Sequence, residues 1–142
     1  MIRKVLLGYD GSASSDRALT FAIDLARTRG AELHVLSVVR PLEVGEEVET
    51  TAVIEQSVRQ SEKQLRTVHA KVSGQSVVAH YHVAVGHPAE QIVRYAEGNG
   101  IDHIVVGHRG HGVFERWLLG SVARQVIAYA PCSVTVCREP KK

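Results

Sequence analysis

Short apolar runs alternate with helix-like segments along the whole of this 142-residue chain. Between the apolar runs, hydrophobic residues recur at three- and four-residue spacing, which is typical of amphipathic helices. Strands joined through helices run parallel, with helices on both faces of the sheet. The sequence therefore predicts an open five-stranded parallel sheet of the α/β class. The predicted strands span residues 5–7, 33–39, 77–85, 104–106 and 133–136, and the predicted helices end at Gly30, near Gly74, at Gly98 and before Pro131.

The connection after the second predicted strand is acidic. Residues 42–50 contain Glu43, Glu46, Glu47 and Glu49, and we expect them to form a loop. The length of the chain suits one domain, spanning residues 1–142.

Composition limits the classes of partner. The formal net charge is +2, and the basic residues are spread along the chain, so we expect no nucleic-acid partner. No apolar run approaches the roughly 18 residues that a membrane-spanning helix needs, and the first residues enter a strand at once. We therefore expect a cytoplasmic protein without a membrane span. Cys132 and Cys137 lie five residues apart across a predicted strand and should not bridge each other.

A glycine-rich stretch follows the fourth predicted strand and leads into the last helix. It has the form Gly107-x2-Gly110-x9-Gly120-Ser121. Glycines let the backbone turn sharply and approach a ligand closely. We expect Ser121 to be the N-cap of the helix, where its hydroxyl and the first unpaired N–H groups suit a phosphate. The stretch predicts a nucleotide phosphate site.

Two further features fall at the ends of predicted strands. Asp10 follows the first strand, and Val38-Val39 closes the second. Ligands of open α/β sheets bind beyond the carboxyl ends of the strands, where the strand order reverses. If the first and fourth strands are neighbours, these residues and the glycine-rich stretch converge on one crevice.

The histidines of the third predicted strand offer an alternative kind of site. His80 and His82 share one face of that strand and could hold a metal ion. The sequence supplies no evident third ligand, so a solvated face of an edge strand is the favoured interpretation.

Three segments together resemble the universal stress protein family: residues 5–12, which end in Tyr9-Asp10-Gly11-Ser12; Gly86-His87-Pro88-Ala89-Glu90; and the Gly107–Ser121 stretch. The resemblance covers nearly all of the chain. It implies a Rossmann-like sheet of order 3-2-1-4-5, similar to the adenine nucleotide alpha-hydrolase-like fold. It also implies ATP binding, as in the family members that carry the glycine signature, and a homodimer formed through the last strand around Val134–Cys137.

The resemblance also implies roles for particular residues. Asp10 would lie by the adenosine, where it could accept from a ribose hydroxyl or hold Mg²⁺ through water. The backbone of Val38 would meet the adenine edge, and Gly107 would lie near the ribose. The phosphates would be surrounded by Arg109, Gly110, Gly120, Ser121 and Val122.

The sequence favours binding of the nucleotide over its turnover. A P-loop hydrolase needs a lysine in its phosphate loop, and this stretch contains none. We therefore expect an ATP-binding regulatory protein of the stress response. A slow ATPase or phosphotransfer enzyme with the same site is the alternative, and a scaffold whose glycines are only structural is a third.

Overall fold

The protein forms one parallel β-sheet with helices on both faces. The computed structural model describes residues 1–41, 47–109 and 119–139. In these ranges the sheet order is β3-β2-β1-β4-β5, and every neighbouring pair of strands is parallel. The predicted fold and strand order are confirmed. The elements are β1 (Lys4–Gly8), α1 (Ala13–Arg29), β2 (Glu32–Val39), α2 (Glu47–Val72), β3 (Ala79–Val85), α3 (Pro88–Gly98), β4 (His103–Gly107), α4 (Ser121–Tyr129) and β5 (Ser133–Cys137).

Each face of the sheet carries its own hydrophobic core. Helices α1 and α2 cover one face, where they pack on Leu7, Val35 and Val105. Helices α3 and α4 cover the other face, where they pack on Leu6 and Ile104. Successive residues of β1 and β4 therefore point into different cores, which explains why these strands read as continuous apolar runs. None of the described helices is long and apolar enough to cross a membrane.

The start of α2 differs from the sequence-based expectation. The helix begins at Glu47, so residues 47–50 belong to it and not to a loop over residues 42–50, while residues 42–46 lie outside the described ranges. Acidic residues are favourable in the first turn of a helix, because the unpaired N–H groups there carry partial positive charge. The acidic composition that indicated a loop is equally compatible with a helix start.

Asp102 joins the start of β1 to the turn before β4. Its Oδ2 accepts hydrogen bonds from the backbone N–H groups of Arg3 (2.8 Å) and Lys4 (3.0 Å). The bond from Arg3 has the largest effect, and together these contacts hold the pKa of Asp102 below its usual range. The charged carboxylate is therefore favoured in the folded protein.

We expect Asp102→Asn to lower the free energy of unfolding at neutral pH. Because water reaches this carboxylate, the loss should be on the order of 1 kcal/mol, at the low end for bonds to a charged acceptor. The pKa is depressed on folding, so the contribution is present above the ordinary carboxyl pKa of about 4 and disappears as the pH falls through the folded value. Urea denaturation from about pH 7 down to about pH 2 measures the difference between the two proteins.

A matched control for this variant is Asp24→Asn. The Asp24 side chain is 68% exposed and pairs with Arg27 on the surface of α1, so its loss should change stability by only a few tenths of a kcal/mol. A stability difference for Asp102→Asn that stays constant over the whole pH range would contradict the assigned role of the charge.

Candidate functional site

A cavity of about 400 Å³ opens at the carboxyl ends of β1, β2 and β4. The chain passes from β1 to β2 on one side and later returns to β4 on the other, so the cavity lies where the strand order reverses. Its volume is within the range of small-molecule sites. The structure brings seven of the predicted site residues to its walls: Asp10, Val38, Gly107, Arg109, Gly120, Ser121 and Val122. The eighth, Gly110, lies outside the described residues.

Gly107 is required by packing as well as by its predicted position near a ligand. A Cβ at this residue would lie 2.7 Å from the Cβ of Ser14 and 2.9 Å from the backbone nitrogen of Ser15. Neither atom is the end of a flexible side chain, so the first turn of α1 can approach the end of β4 only because residue 107 is glycine. This explanation needs no ligand, and the role of Gly107 near a ribose stays a prediction.

One long hydrogen bond joins the turn after β1 to the chain after β4. The Asp10 carboxylate accepts from the Ser12 N–H at 2.9 Å, which closes a tight turn. The Ser12 hydroxyl accepts from the Ser15 N–H at 3.2 Å as the N-cap of α1, and lies 3.5 Å from the Arg109 carbonyl oxygen, to which it can donate. The turn after β1 is therefore fixed by its own hydrogen bonds and lies in contact with the chain at Arg109.

The N-cap of α4 is Gly120, so the prediction that Ser121 is the N-cap is wrong. Gly120 has φ −62° and ψ 152°, and Ser121 is the first residue of the helix. The carbonyl of Gly120 accepts from Arg124 N–H (3.0 Å), and its own N–H donates to the His108 carbonyl (2.9 Å). Glycine has no side chain to cap the helix, so the N–H groups of Ser121 and Val122 at the cavity keep their capacity to bind an anion.

Sequence reasoning missed Arg40, which also lines the cavity. Arg40 directly follows β2, at the same carboxyl edge of the sheet as Val38. This position after a strand end was the signal that could have identified it as a site residue. Arg109 is the second basic side chain of the wall, is 12% exposed, and lies 4.0 Å from the Glu139 carboxylate. Asp10 is the one acidic residue among the described residues of the wall. The excess of basic groups suits an anionic ligand.

The surroundings of two other titratable side chains in the lining favour their neutral forms. Burial, followed by the charges of Arg138 and Arg109, lowers the pKa of His108. Burial and the hydrogen bond from the Tyr9 hydroxyl to Asp16 (2.6 Å) raise the pKa of Tyr9. Neither side chain therefore adds charge to the cavity.

Part of the lining is apolar. It is formed by β2 and α3, which contribute Leu36, Val38, Pro88 and Ile92. A lining that combines an apolar surface with basic side chains and free helix N–H groups suits a ligand with a flat hydrophobic ring and negative charge.

The backbone of Val38 is directed into the cavity. Alternate residues of a strand turn their backbone N–H and C=O groups to opposite sides. The Leu36 carbonyl accepts from Tyr9 N–H toward β1, whereas the Val39 carbonyl accepts from Gly86 N–H toward β3. Val38 therefore faces the β1 side, and β1 has already ended with the pair Gly8↔Leu36. Its backbone edge meets the cavity instead of another strand.

The strand order and the cavity at the point of reversal define a doubly wound α/β protein, with the cavity at the position where proteins of that class bind their ligands. Within this class, the model of the universal stress protein family matches residues 1–138. The chain belongs to the universal stress protein family.

Relatives match over almost the full length of the chain. A universal stress protein of Methanocaldococcus jannaschii is 35% identical over 146 residues, covering 100% of this chain and 85% of that protein. The structure of the universal stress protein UspA from Lactobacillus plantarum superposes with a TM-score of 0.90 at 25% identity, covering 96% of this chain and 98% of that one.

Two solved structures of the same fold were determined with nucleotides. One is a universal stress protein in complex with cAMP, with a TM-score of 0.71, 24% identity and 98% coverage of both chains. The other is the universal stress protein from Archaeoglobus fulgidus in complex with dAMP, with a TM-score of 0.71, 23% identity and coverage of 96% of this chain and 98% of that one.

Proposed function

We propose that this chain is a regulatory protein of the stress response that binds ATP in the cavity between β1, β2 and β4. The observation that carries the proposal is the convergence of seven of the eight predicted site residues on that one cavity. They come from four places in the sequence: the turn after β1, the end of β2, the end of β4 and the start of α4.

The basic wall suits the triphosphate. The N–H groups in the first turn of α4 and the partial positive charge of the helix end favour phosphate oxygens. Arg109 and Arg40 add positive charge to the lining of the cavity, and a guanidinium can bind two phosphate oxygens at once. Gly110, whose position lies outside the described residues, remains a predicted member of this group.

The apolar wall suits the adenine. Leu36, Val38 and Ile92 offer a surface for the ring. The backbone edge of Val38 can donate to and accept from the polar edge of the base, as a neighbouring strand would. The nucleotides in the two relatives solved with cAMP and dAMP are both adenine nucleotides, which supports the choice of base.

We favour binding of ATP over its hydrolysis because of the side chains that line the described part of the cavity. Asp10 is its acidic residue, and the Oδ1 atom of Asp10 already accepts the Ser12 N–H. The presence or absence of ATP in the cavity would then be the signal. It would act by changing the contacts of this chain with a second copy or with another protein. Pairing of two copies along β5, which is the edge strand beside β4, is part of this proposal, as are a cytoplasmic location and Mg²⁺ as a companion of ATP.

A titration of the purified chain with ATP, ADP, AMP and cAMP tests the proposal. We expect affinity to rise from AMP to ATP, because each added phosphate meets more of the basic wall. Isothermal titration calorimetry with and without Mg²⁺ gives both the affinities and the metal dependence. Equal affinity for AMP and ATP would contradict the assigned phosphate contacts, and no binding of any of the four would contradict the function.

A further inference from the structure

A second group of potential ligand residues lies on β2 and β3, away from the cavity. It consists of Glu32, His34 and His80, which we call the β2–β3 cluster. None of the three lines the cavity. His34 precedes Val38 by four residues of the same strand, about 13 Å along it. The cluster therefore lies toward the amino ends of the strands, where nucleotide contacts are not expected.

The pairing of the strands brings the three residues together. Glu32 and His34 are two residues apart on β2, so their side chains share one face of the sheet. The register pairs His34 directly with His80 on β3. Two imidazoles and one carboxylate thus stand beside each other on the face that α3 partly covers.

The distances within the cluster match those between ligands of a tetrahedral metal ion. Glu32 Oε1 lies 3.3 Å from His34 Nε2 and 3.2 Å from His80 Nε2. Atoms bound to Zn²⁺ at about 2.0 to 2.1 Å with tetrahedral angles are about 3.3 Å apart. One ligand atom from each residue can be chosen so that all three lie within 4.8 Å of one another. The chosen nitrogens of His34 and His80 lie within the same limit, on strands whose register pairs the two residues directly.

A third side chain orients His34. Its Nδ1 lies 2.7 Å from the Tyr95 hydroxyl, which leaves Nε2 directed toward Glu32. Histidine ligands of metals usually hold their second ring nitrogen in such a hydrogen bond, which sets the tautomer and the ring orientation. The imidazole is also fixed by burial, since the His34 side chain is 9% exposed.

We propose that the β2–β3 cluster binds one divalent transition metal ion, with Zn²⁺ as the ligand for testing. Glu32, His34 and His80 supply three ligands, which is the number found in zinc sites that keep one position open. The side chains of His80 and Glu32 are 51% and 41% exposed, so water reaches the fourth position. The ion links β2 to the edge strand β3, and Tyr95 acts as a positioning residue for His34.

The test is a titration of chelator-treated, nucleotide-free protein with Zn²⁺ by calorimetry. We expect one ion per chain, and we expect His80→Ala to weaken binding at least about tenfold. His82→Ala is the matched control: His82 lies on the same face of β3 and its ring is 5.9 Å from that of Tyr95, but it is not part of the cluster. The control variant should keep the wild-type affinity.

Two further measurements distinguish this site from unspecific binding. Glu32→Gln keeps the size of the side chain but removes the anionic ligand, and should weaken Zn²⁺ binding by a similar factor. At one fixed Zn²⁺ concentration, the thermal midpoint should rise in the wild type and in His82→Ala by the same amount, and in His80→Ala by clearly less. Equal binding by wild type, His80→Ala and Glu32→Gln, or no binding by the wild type, would overturn the proposal. Because nucleotide is omitted, these results do not depend on the proposed ATP site.

Discussion

Replacing Ser121 with Glu should weaken ATP binding at least about 100-fold, because it places a carboxylate beside the proposed phosphate position. Ser121 is exposed and is the first residue of α4. A negative charge in the first turn stabilises a helix, so the variant should fold at least as well as the wild type. Loss of binding would therefore report on the site and not on unfolding. Calorimetric titration with ATP measures the change.

Ser121→Gln is the matched control for this variant, since it has the same size without the charge. It should lose much less affinity. Adenosine, which has no phosphate, should bind the wild type and Ser121→Glu about equally. ATP affinity unchanged in Ser121→Glu, or lost to the same degree in Ser121→Gln, would contradict the position assigned to the phosphates.

Replacing Gly107 with Ala should lower the free energy of unfolding by about 3 kcal/mol, at the upper end for an overpacked site. The added Cβ would meet the backbone of α1, including the carbonyl carbon of Ser14 at 2.8 Å. Backbone cannot rotate away as a side chain can, so α1 would have to shift from the end of β4. Urea denaturation measures the loss, provided that the unfolding free energies of both proteins depend equally on the urea concentration.

Gly98→Ala is the control for this prediction. Gly98 is the last residue of α3, and a Cβ there meets no atom within 4 Å. Alanine is the better helix former, so stability should stay equal or rise slightly. A Gly107→Ala protein of wild-type stability that had lost only ATP affinity would show that the ligand, rather than α1, requires the glycine.

The fold could be predicted from the sequence because its signals are local. The apolar runs of β1, β2 and β4 and the helical spacing between them each depend on a few consecutive residues. The glycine stretch and Asp10 are likewise short patterns at strand ends, but it was the strand order implied by the family resemblance that placed them around a common crevice.

The errors arose where a distant contact decides the structure. Serine is a favoured N-cap, but Gly120 takes that position, with its N–H bonded to the carbonyl of His108 from the preceding strand end. Arg40 could have been placed by its position after β2, but nothing local shows that it faces the cavity.

The β2–β3 cluster shows the same limit most clearly. The sequence interpretation considered His80 with His82, because residues two apart on one strand share a face. The neighbours that actually complete the group, Glu32 and His34, come from another strand some fifty residues earlier. Only the register, which pairs His34 with His80, brings them together. Strand register depends on the packing of the whole sheet and cannot be predicted from the sequence of either strand alone.

The hydrogen bond from Gly120 to the His108 carbonyl also bears on how the chain between them can change in length. The bond holds residues 108 and 120 next to each other, and α4 begins at the residue that follows Gly120. The entropy of closing a loop grows only slowly, by about 0.6 kcal/mol for each doubling of its length. A change in the number of residues between His108 and Gly120 should therefore cost the fold little, because this hydrogen bond keeps the end of β4 and the start of α4 together.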